Sequence, residues 1–388
     1  MAENTLTGLA PDLYEAMDIV SREMTGLIPS VTMDVNAAQT ASVGQNIRVD
    51  IEPAAGAGVD ITPAMTVPEP TGETSGYSDI QITKAKAYEF GFNGEGAMGL
   101  ETGAGYGNVR AAKIAQRIRR LVNDVETDLA GLQSTFSRAY GTAGTTPFAT
   151  AGDYSDASFV QKILLDNGAP EFDNSLVMNT TAGATLKGKQ AQADMAGSDV
   201  IQRQGILLPL SGLDLRQSAQ IATTGSNVIT GTVEVTGVNA IGATTINLTT
   251  AAGAAVSGVA GDMITIASDG EKYILAADVT IGASTTGDIV IAEPGLRKAT
   301  TATLAVSGVA ASARNMCFNR SALVLASRAP ARPIEGDMAE DVMLMTDPRS
   351  GLTFEVSMYK GYRKVRYEIA LAWGVKNIKP EHTALLLG

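Results

Sequence analysis

The chain has 388 residues, 29 basic and 41 acidic side chains, a net charge of -12, and a single cysteine, histidine and tryptophan. At roughly 100–200 residues per domain this length predicts two or three domains, and 45% apolar with 18% charged residues is the balance of a folding chain rather than a disordered or acidic tail protein. A lone Cys317 excludes a disulfide framework and, with a lone His382, any zinc site built from Cys and His alone, while the acidic balance disfavours tight binding of nucleic-acid phosphates.

The amino terminus carries no basic segment followed by an apolar one, so no secretory route is expected and the cytosol is the expected compartment. Pro11 to Thr25 reads as an amphipathic helix, with Leu13, Met17, Val20 and Met24 on one stripe and Gly26 and Pro29 as a stop. Asn46 to Ile51 alternates, and so does Asp79 to Phe92 through Ile80, Ile82, Tyr88, Phe90 and Phe92, which predicts two strands. The Pro- and Gly-rich stretch between them is too long for a tight turn and too poor in core residues for a domain, so it reads as the tip of a projecting hairpin. From Ile114 the apolar positions Ile118, Leu121, Val125, Leu129, Leu132, Phe136 and Tyr140 recur every three or four residues. That spacing predicts one helix over Val109 to Tyr140, ~48 Å long at 1.5 Å per residue, a backbone for other elements to lean on. Ser155 and Asp156 can start a helix that ends at Asn167-Gly168. A strand (Ser175 to Met178), a short helix (Thr180 to Lys187) and a strand region (Ile206 to Leu215) continue a mixed α+β pattern.

At Thr223 the composition changes. As far as Gly308 the only basic residues are Lys272, Arg297 and Lys298, the only aromatic is Tyr273, and short alternating runs recur between turn residues. This spacing predicts a small all-β barrel or sandwich. Thr, Asn and Gly dominate its charge-free stretch, so no membrane span is expected. Beyond Ala313 the earlier style returns, with a helix or strand at Ser321 to Ala326, a strand at Leu352 to Tyr359, a turn at Lys360-Gly361 and a long strand from Tyr362 to Val375. The β-rich block therefore reads as an insertion within one α+β domain, and its removal is expected to leave a foldable core.

Candidate chemistry is sparse. Gly103, Gly105 and Gly107 precede the long helix, but a dinucleotide fingerprint needs a glycine where Asn108 sits and no Gly-Lys-Ser/Thr follows, so they read as a hinge. An enzyme with a Gly-rich phosphate-binding loop is the alternative from another class. His382 has no nucleophile motif to serve, and Glu335, Asp337, Glu340 and Asp341 match no calcium loop and read as a solvated face. Arg110, Lys113, Arg117, Arg119 and Arg120 are followed by Asp124, Glu126 and Asp128, an order that opposes the helix macrodipole. The five cations are candidates for contact with acidic neighbours in an assembly or with packaged nucleic acid, against the plain reading of a solvated face. No catalytic, cofactor-binding or metal residue is assigned.

The segments RIRRLVNDVETDLAGL, VMNTTAGATLKGK, SDVIQRQ before LPLSGLDLRQS, ARNMCFNRSALVLAS and IALAWGVKNIKPEHTALLLG follow one another in an order that resembles the tailed-bacteriophage major capsid (coat) proteins carrying an inserted β-barrel domain. The resemblance covers nearly the whole chain. It implies an α+β fold of the tailed-phage and herpesvirus shell type: an N-terminal arm (1–40), an extended β-hairpin loop (41–93), a peripheral domain with a spine helix (94–150), an axial and peripheral core (151–222 and 309–388) and the β-barrel insertion (223–308). It further implies a non-enzymatic virion protein that forms hexamers and pentamers around double-stranded DNA, assembled in the bacterial host cytoplasm. Scaffolding and portal proteins are the implied partners, a decoration protein is compatible with the shell, DNA contact is non-specific, and the precursor shell expands on maturation. A bacterial nanocompartment shell of the same fold is the alternative within the structural class, although the insertion is unexpected there.

Overall fold

The computed structural model describes residues 25–51, 76–101, 106–150, 153–191, 207–347 and 350–388. The helix expected over Pro11 to Thr25, apart from Thr25 itself, and the hairpin tip, Gly103, Gly105 and the SDVIQRQ run lie outside the described residues.

The first strands are β1 (Thr32–Ala41), β2 (Asn46–Ile51), β3 (Gly76–Gln81) and β4 (Lys84–Asn93). The run expected as one strand from Asp79 to Phe92 is thus two. Ile82 exchanges backbone hydrogen bonds with Gly44 and Gln45, and Thr83 donates to the Trp373 carbonyl, so the chain changes partner at that point. Its first half forms a ribbon with β2, in the register Asn46 to Gln81 and Ile51 to Gly76.

A helix at Gly94–Glu101 precedes the long spine helix, Tyr106–Gly131. The spine, ~39 Å long at 1.5 Å per residue, stops well before the expected Tyr140. Ser134 and Thr135 turn their hydroxyls back onto the Gly131 and Leu132 carbonyls in a tight turn. Phe136 is then extended and Arg138–Tyr140 becomes β5. Its partners are distant in sequence, so helical periodicity through Phe136 and Tyr140 is overridden by pairing.

The helix Ser155–Asp166 matches expectation, but Asp153 accepts from the Ser155 backbone at its start. After β6 (Asn174–Met178) the helix Thr180–Gln190, capped by Asn179 on the Ala182 N–H, runs past the expected Lys187. β7 (Leu213–Gln217) begins later than Ile206 because Ser211 and Gly212 both take positive φ and form a turn before it.

The low-charge block holds β8 (Thr223–Thr224), β9 (Ile229–Thr230), β10 (Val233–Val235), β11 (Thr245–Thr250), β12 (Ala255–Gly258), β13 (Met263–Ile266), β14 (Lys272–Ile274), β15 (Val279–Ile281), β16 (Thr286–Val290) and β17 (Ala305–Gly308). The chain closes with β18 (Ser312–Asn319), β19 (Leu323–Pro330), β20 (Ala339–Thr346), β21 (Thr353–Gly361), β22 (Lys364–Asn377) and β23 (Thr383–Leu387). The segment Ser321 to Ala326, left between helix and strand, falls largely in a strand. The turn expected at Lys360-Gly361 lies at Tyr362-Arg363, where Arg363 takes φ +55°.

One sheet runs β1-β19-β22-β21-β20, with β4 on β22. A second runs β16-β11-β10-β17-β13-β14 and continues without a break through β5-β23-β18-β6-β7. A third, β15-β12-β9, faces the block's strands and shares with them a core that includes Ile246, Leu248, Ile264, Tyr273 and Val256. No ladder joins these two sheets among the described residues, an arrangement nearer a sandwich than a closed barrel. The main core joins the spine's Ile114, Ile118, Leu121, Val125 and Leu129 to Phe90, Ile369 and Trp373, and it takes in Met263, Ile274 and Ala292 from the β-rich block. Among the described residues no helix is long and apolar enough to cross a membrane.

Candidate functional site

The spine helix lies against β4. Alternation along the strand turns Lys84, Lys86, Tyr88, Phe90 and Phe92 to one face, while Lys113, Arg117, Arg120, Asp124 and Asp128 share a helix face at steps of three and four. Lys84 Nζ lies 2.5 Å from Asp128, which also accepts from the Trp373 indole at 2.8 Å. Lys86 Nζ and the Tyr88 hydroxyl donate to Asp124 at 2.9 and 2.7 Å, and Arg120 Nε donates to the Tyr88 oxygen at 3.4 Å. Further along, the Arg117 guanidinium lies 5.2 Å from the Phe90 ring centre and the Lys113 ammonium 4.3 Å from that of Phe92. The facing strand accounts for charges that oppose the helix dipole. Acids sit where β4 supplies lysines, and cations where it supplies aromatic faces.

Burial pushes the Asp124 carboxyl up, but the donors Lys86 and Tyr88 outweigh it and hold it below the usual carboxylate range. The same hydrogen bond raises Lys86. On the helix's other side Glu126, 1% exposed, accepts from the backbone N–H groups of Gly26, Leu27 and Ile28 at 2.8, 2.8 and 3.0 Å. Burial pushes this carboxyl up against the pull of those donors. A Cβ on Gly26 would come within 2.4 Å of the Gln217 carbonyl, so glycine is required where the chain meets the spine.

The five basic candidates do not form one patch. Lys113, Arg117 and Arg120 turn toward β4, Arg110 is half-buried, and Arg119 and Arg120 are exposed, the latter with 66% of its side chain in solvent. Gly107 sits in the first turn of the spine with open space about it. Asp337 of the acidic group accepts from the Ala339 N–H and the Tyr359 hydroxyl, and Glu340 pairs with Lys360 at 3.0 Å. Cys317 is buried, which pushes its thiol up and makes it a poor nucleophile. His382 is half-buried, with its pKa lowered by burial. Among the described residues no cluster of His, Cys, Asp and Glu fits a metal ion. Sequence reasoning missed Lys84, Lys86 and Glu126 as structural partners; the Lys-Ala-Lys-Ala alternation that opens β4 was the available signal.

Two buried arginines fasten the β-rich block. Arg138, 1% exposed, donates to the Asn167 side chain at 2.6 Å and lies 3.3 Å from the Glu271 carboxylate, beside the β14–β5 pairing. Arg314 donates to the Gly261 carbonyl at 2.5 Å and lies 3.8 Å from Asp262, where β8 pairs with β18. Gly225, at φ +92°, leaves room for it, since a Cβ there would fall 2.1 Å from the guanidinium.

No family model and no curated protein matches the sequence. Among solved structures, the chain is similar to one in the capsid of cyanophage P-SCSP1u, at 10% identity over 94% of this chain and 88% of that one, with a TM-score of 0.48. It is also similar to a chain from Mycobacterium phage Che8, at 12% identity over 94% and 92% with a TM-score of 0.45. A chain from the capsid of a native GTA particle is similar at 12% identity over 94% and 90%, with a TM-score of 0.44.

Proposed function

We propose that this chain is the major coat subunit of a tailed-phage type of icosahedral shell, assembling as hexamers and pentamers around double-stranded DNA. The β2–β3 ribbon carries the reading. It pairs with no other strand among the described residues, and only its base is covered, where Ile47, Val49 and Ile80 pack on Val324, Ala326 and Ala372; farther out Tyr77 is 57% exposed, and a two-stranded ribbon is marginal in water unless another surface completes it. A second subunit supplies that surface. Head-to-tail contacts of this kind close rings of identical chains.

In this reading the spine with its sheet is the peripheral part, the strands around β18 with their flanking helices are the axial part, and β8 to β17 (223–308) form the inserted β module, which sets the chain apart from nanocompartment shells. Gly103, Gly105 and Gly107 act as the hinge when a scaffolded precursor expands. Arg119 and Arg120, both exposed on the spine, are the cations that approach DNA, and an acidic chain holds DNA loosely. Scaffolding and portal proteins complete the assembly in the host cytoplasm, and no catalytic step is assigned. Electron microscopy of the purified chain, alone and with its scaffold, is expected to show shells or rings. A monomer under every condition overturns the reading.

A further inference from the structure

Two oppositely charged strips meet at the end of the six-stranded sheet farthest from the ribbon's base. The β21–β22 turn reads Lys360-Gly361-Tyr362-Arg363-Lys364-Val365-Arg366, four cations without an acid in a chain of net charge -12. The segment entering β20 reads Ile334-Glu335-Gly336-Asp337-Met338-Ala339-Glu340-Asp341, four acids without a cation. The strips adjoin, since Ala339 pairs with Tyr359 and Glu340 with Lys360. They also carry the three most exposed large apolar side chains among the described residues: Ile334 at 104%, Tyr362 at 89% and Met338 at 87% of full exposure. The outer edge of β20 has no strand partner among the described residues, and Val342 and Leu344 extend the apolar exposure along it. An unpaired edge with apolar side chains is a surface prepared for another chain.

Charge identifies the occupant. DNA would face the acidic strip as well as the basic one and would leave Ile334 and Met338 in water. Two of the four cations are also already engaged, Lys360 by Glu340 and Arg366 by Glu89 and Glu368. On the acidic strip Asp337 and Glu340 are likewise engaged, by Arg332 and Lys360, so what a second copy complements is Arg363 and Lys364 on the turn, Glu335 on the strip, and the exposed Ile334, Met338 and Tyr362 that it covers. We infer that this sheet end is a contact between copies, the Lys360–Arg366 turn of one seated against the Ile334–Asp341 strip of another. The inference rests on the shell reading only in taking the partner to be a second copy, and it names where the copies touch.

The test uses the full chain in two variants, Met338→Asp on the acidic strip and Tyr362→Asp with Arg363→Glu on the turn. These side chains are exposed, so thermal melts should match the parent. By sedimentation and native mass spectrometry each variant alone should self-associate about tenfold more weakly, the loss of one good interface contact. An equimolar mixture should recover hetero-pairs, because each variant keeps the strip the other lacks. Parental association should weaken as salt rises. Variants that assemble like the parent, or a mixture that stays monomeric, overturn the contact and leave the shell reading standing. A parent that pairs through these strips but never forms a ring or shell keeps the contact and overturns the shell. Loss of duplex DNA binding in the turn variant with self-association intact assigns the strip to nucleic acid and overturns the contact.

Discussion

Where the spine helix faces β4, charge sits at the rim, whereas Glu126 on its other side is buried. Lys84 and Lys86 reach Asp128 and Asp124 with more than two-fifths of each lysine side chain in solvent. At the seams of the β-rich block charge is buried: Arg138 and Arg314 have at most 4% of their side chains exposed. Each rim pair is weak and replaceable by water. The block's two arginines are buried contacts that add to the ladder and core it shares with the main sheet. A composition change therefore marks a different packing style here, and the continuous ladder through β14 and β5 makes the block part of the main sheet.

The largest expected effect follows from that continuity. Removing 223–308 and closing with a short linker strips the partners from Arg138 and Arg314 and takes Met263, Ile274 and Ala292 out of the main core. The foldable remnant expected from composition alone gives way to the opposite outcome: loss of a cooperative unfolding transition, read by circular dichroism during urea titration. A deletion chain that unfolds cooperatively near the parent midpoint would return the block to the status of an independent insertion.

Single substitutions sharpen the contrast. Arg138→Ala empties the space of a fully buried side chain and removes a charged donor from the Asn167 side chain beside the partly exposed Glu271, and should cost about 3–4 kcal/mol. Lys84→Ala at the spine rim should cost no more than about 1 kcal/mol. Equal shifts in urea midpoint would erase the distinction. Between these extremes lies Glu126→Ala, which strands the N–H groups of Gly26, Leu27 and Ile28 in the interior and should cost about 2–3 kcal/mol.

Local chemistry was legible in the sequence wherever a residue's partner is close by or its pattern is periodic. Asn46–Ile51 was placed to the residue, and the runs around Val233, Thr245, Met263 and Ala305 each became strands because alternation and glycine turns are local signals. The spine was found but overextended, since nothing in Phe136-Ser137-Arg138-Ala139-Tyr140 announces that β14 and β23 will claim it. The site was read only in part for the same reason. The basic run was visible, but its meaning depended on Phe90 and Phe92 across the interface, and a buried Glu126 looks on paper like any other helix acid. The turn after Tyr359 is legible as a turn, but the meeting of its cations with Glu340 rests on the β20–β21 register, which no local signal carries.

The smallest expected effect separates two carboxylates of one helix by the sign of their pH dependence. Asp124 is held below its unfolded value, so its contribution is present above that value and lost as pH falls through the folded one. Glu126 is held above its unfolded value, so folding is favoured most below that value and the advantage is lost as pH rises through the folded one. Asp124→Asn should therefore flatten the acid limb of the stability profile and cost about 0.5–1 kcal/mol at neutral pH, the range of a rim ion pair. Glu126→Gln should instead flatten the decline on the less acidic side. Urea midpoints measured from pH 2 to pH 8 distinguish the two. A steeper acid limb in Asp124→Asn would mean that Lys86 and Tyr88 do not hold the carboxylate, and the rim would then contribute nothing to the spine's register.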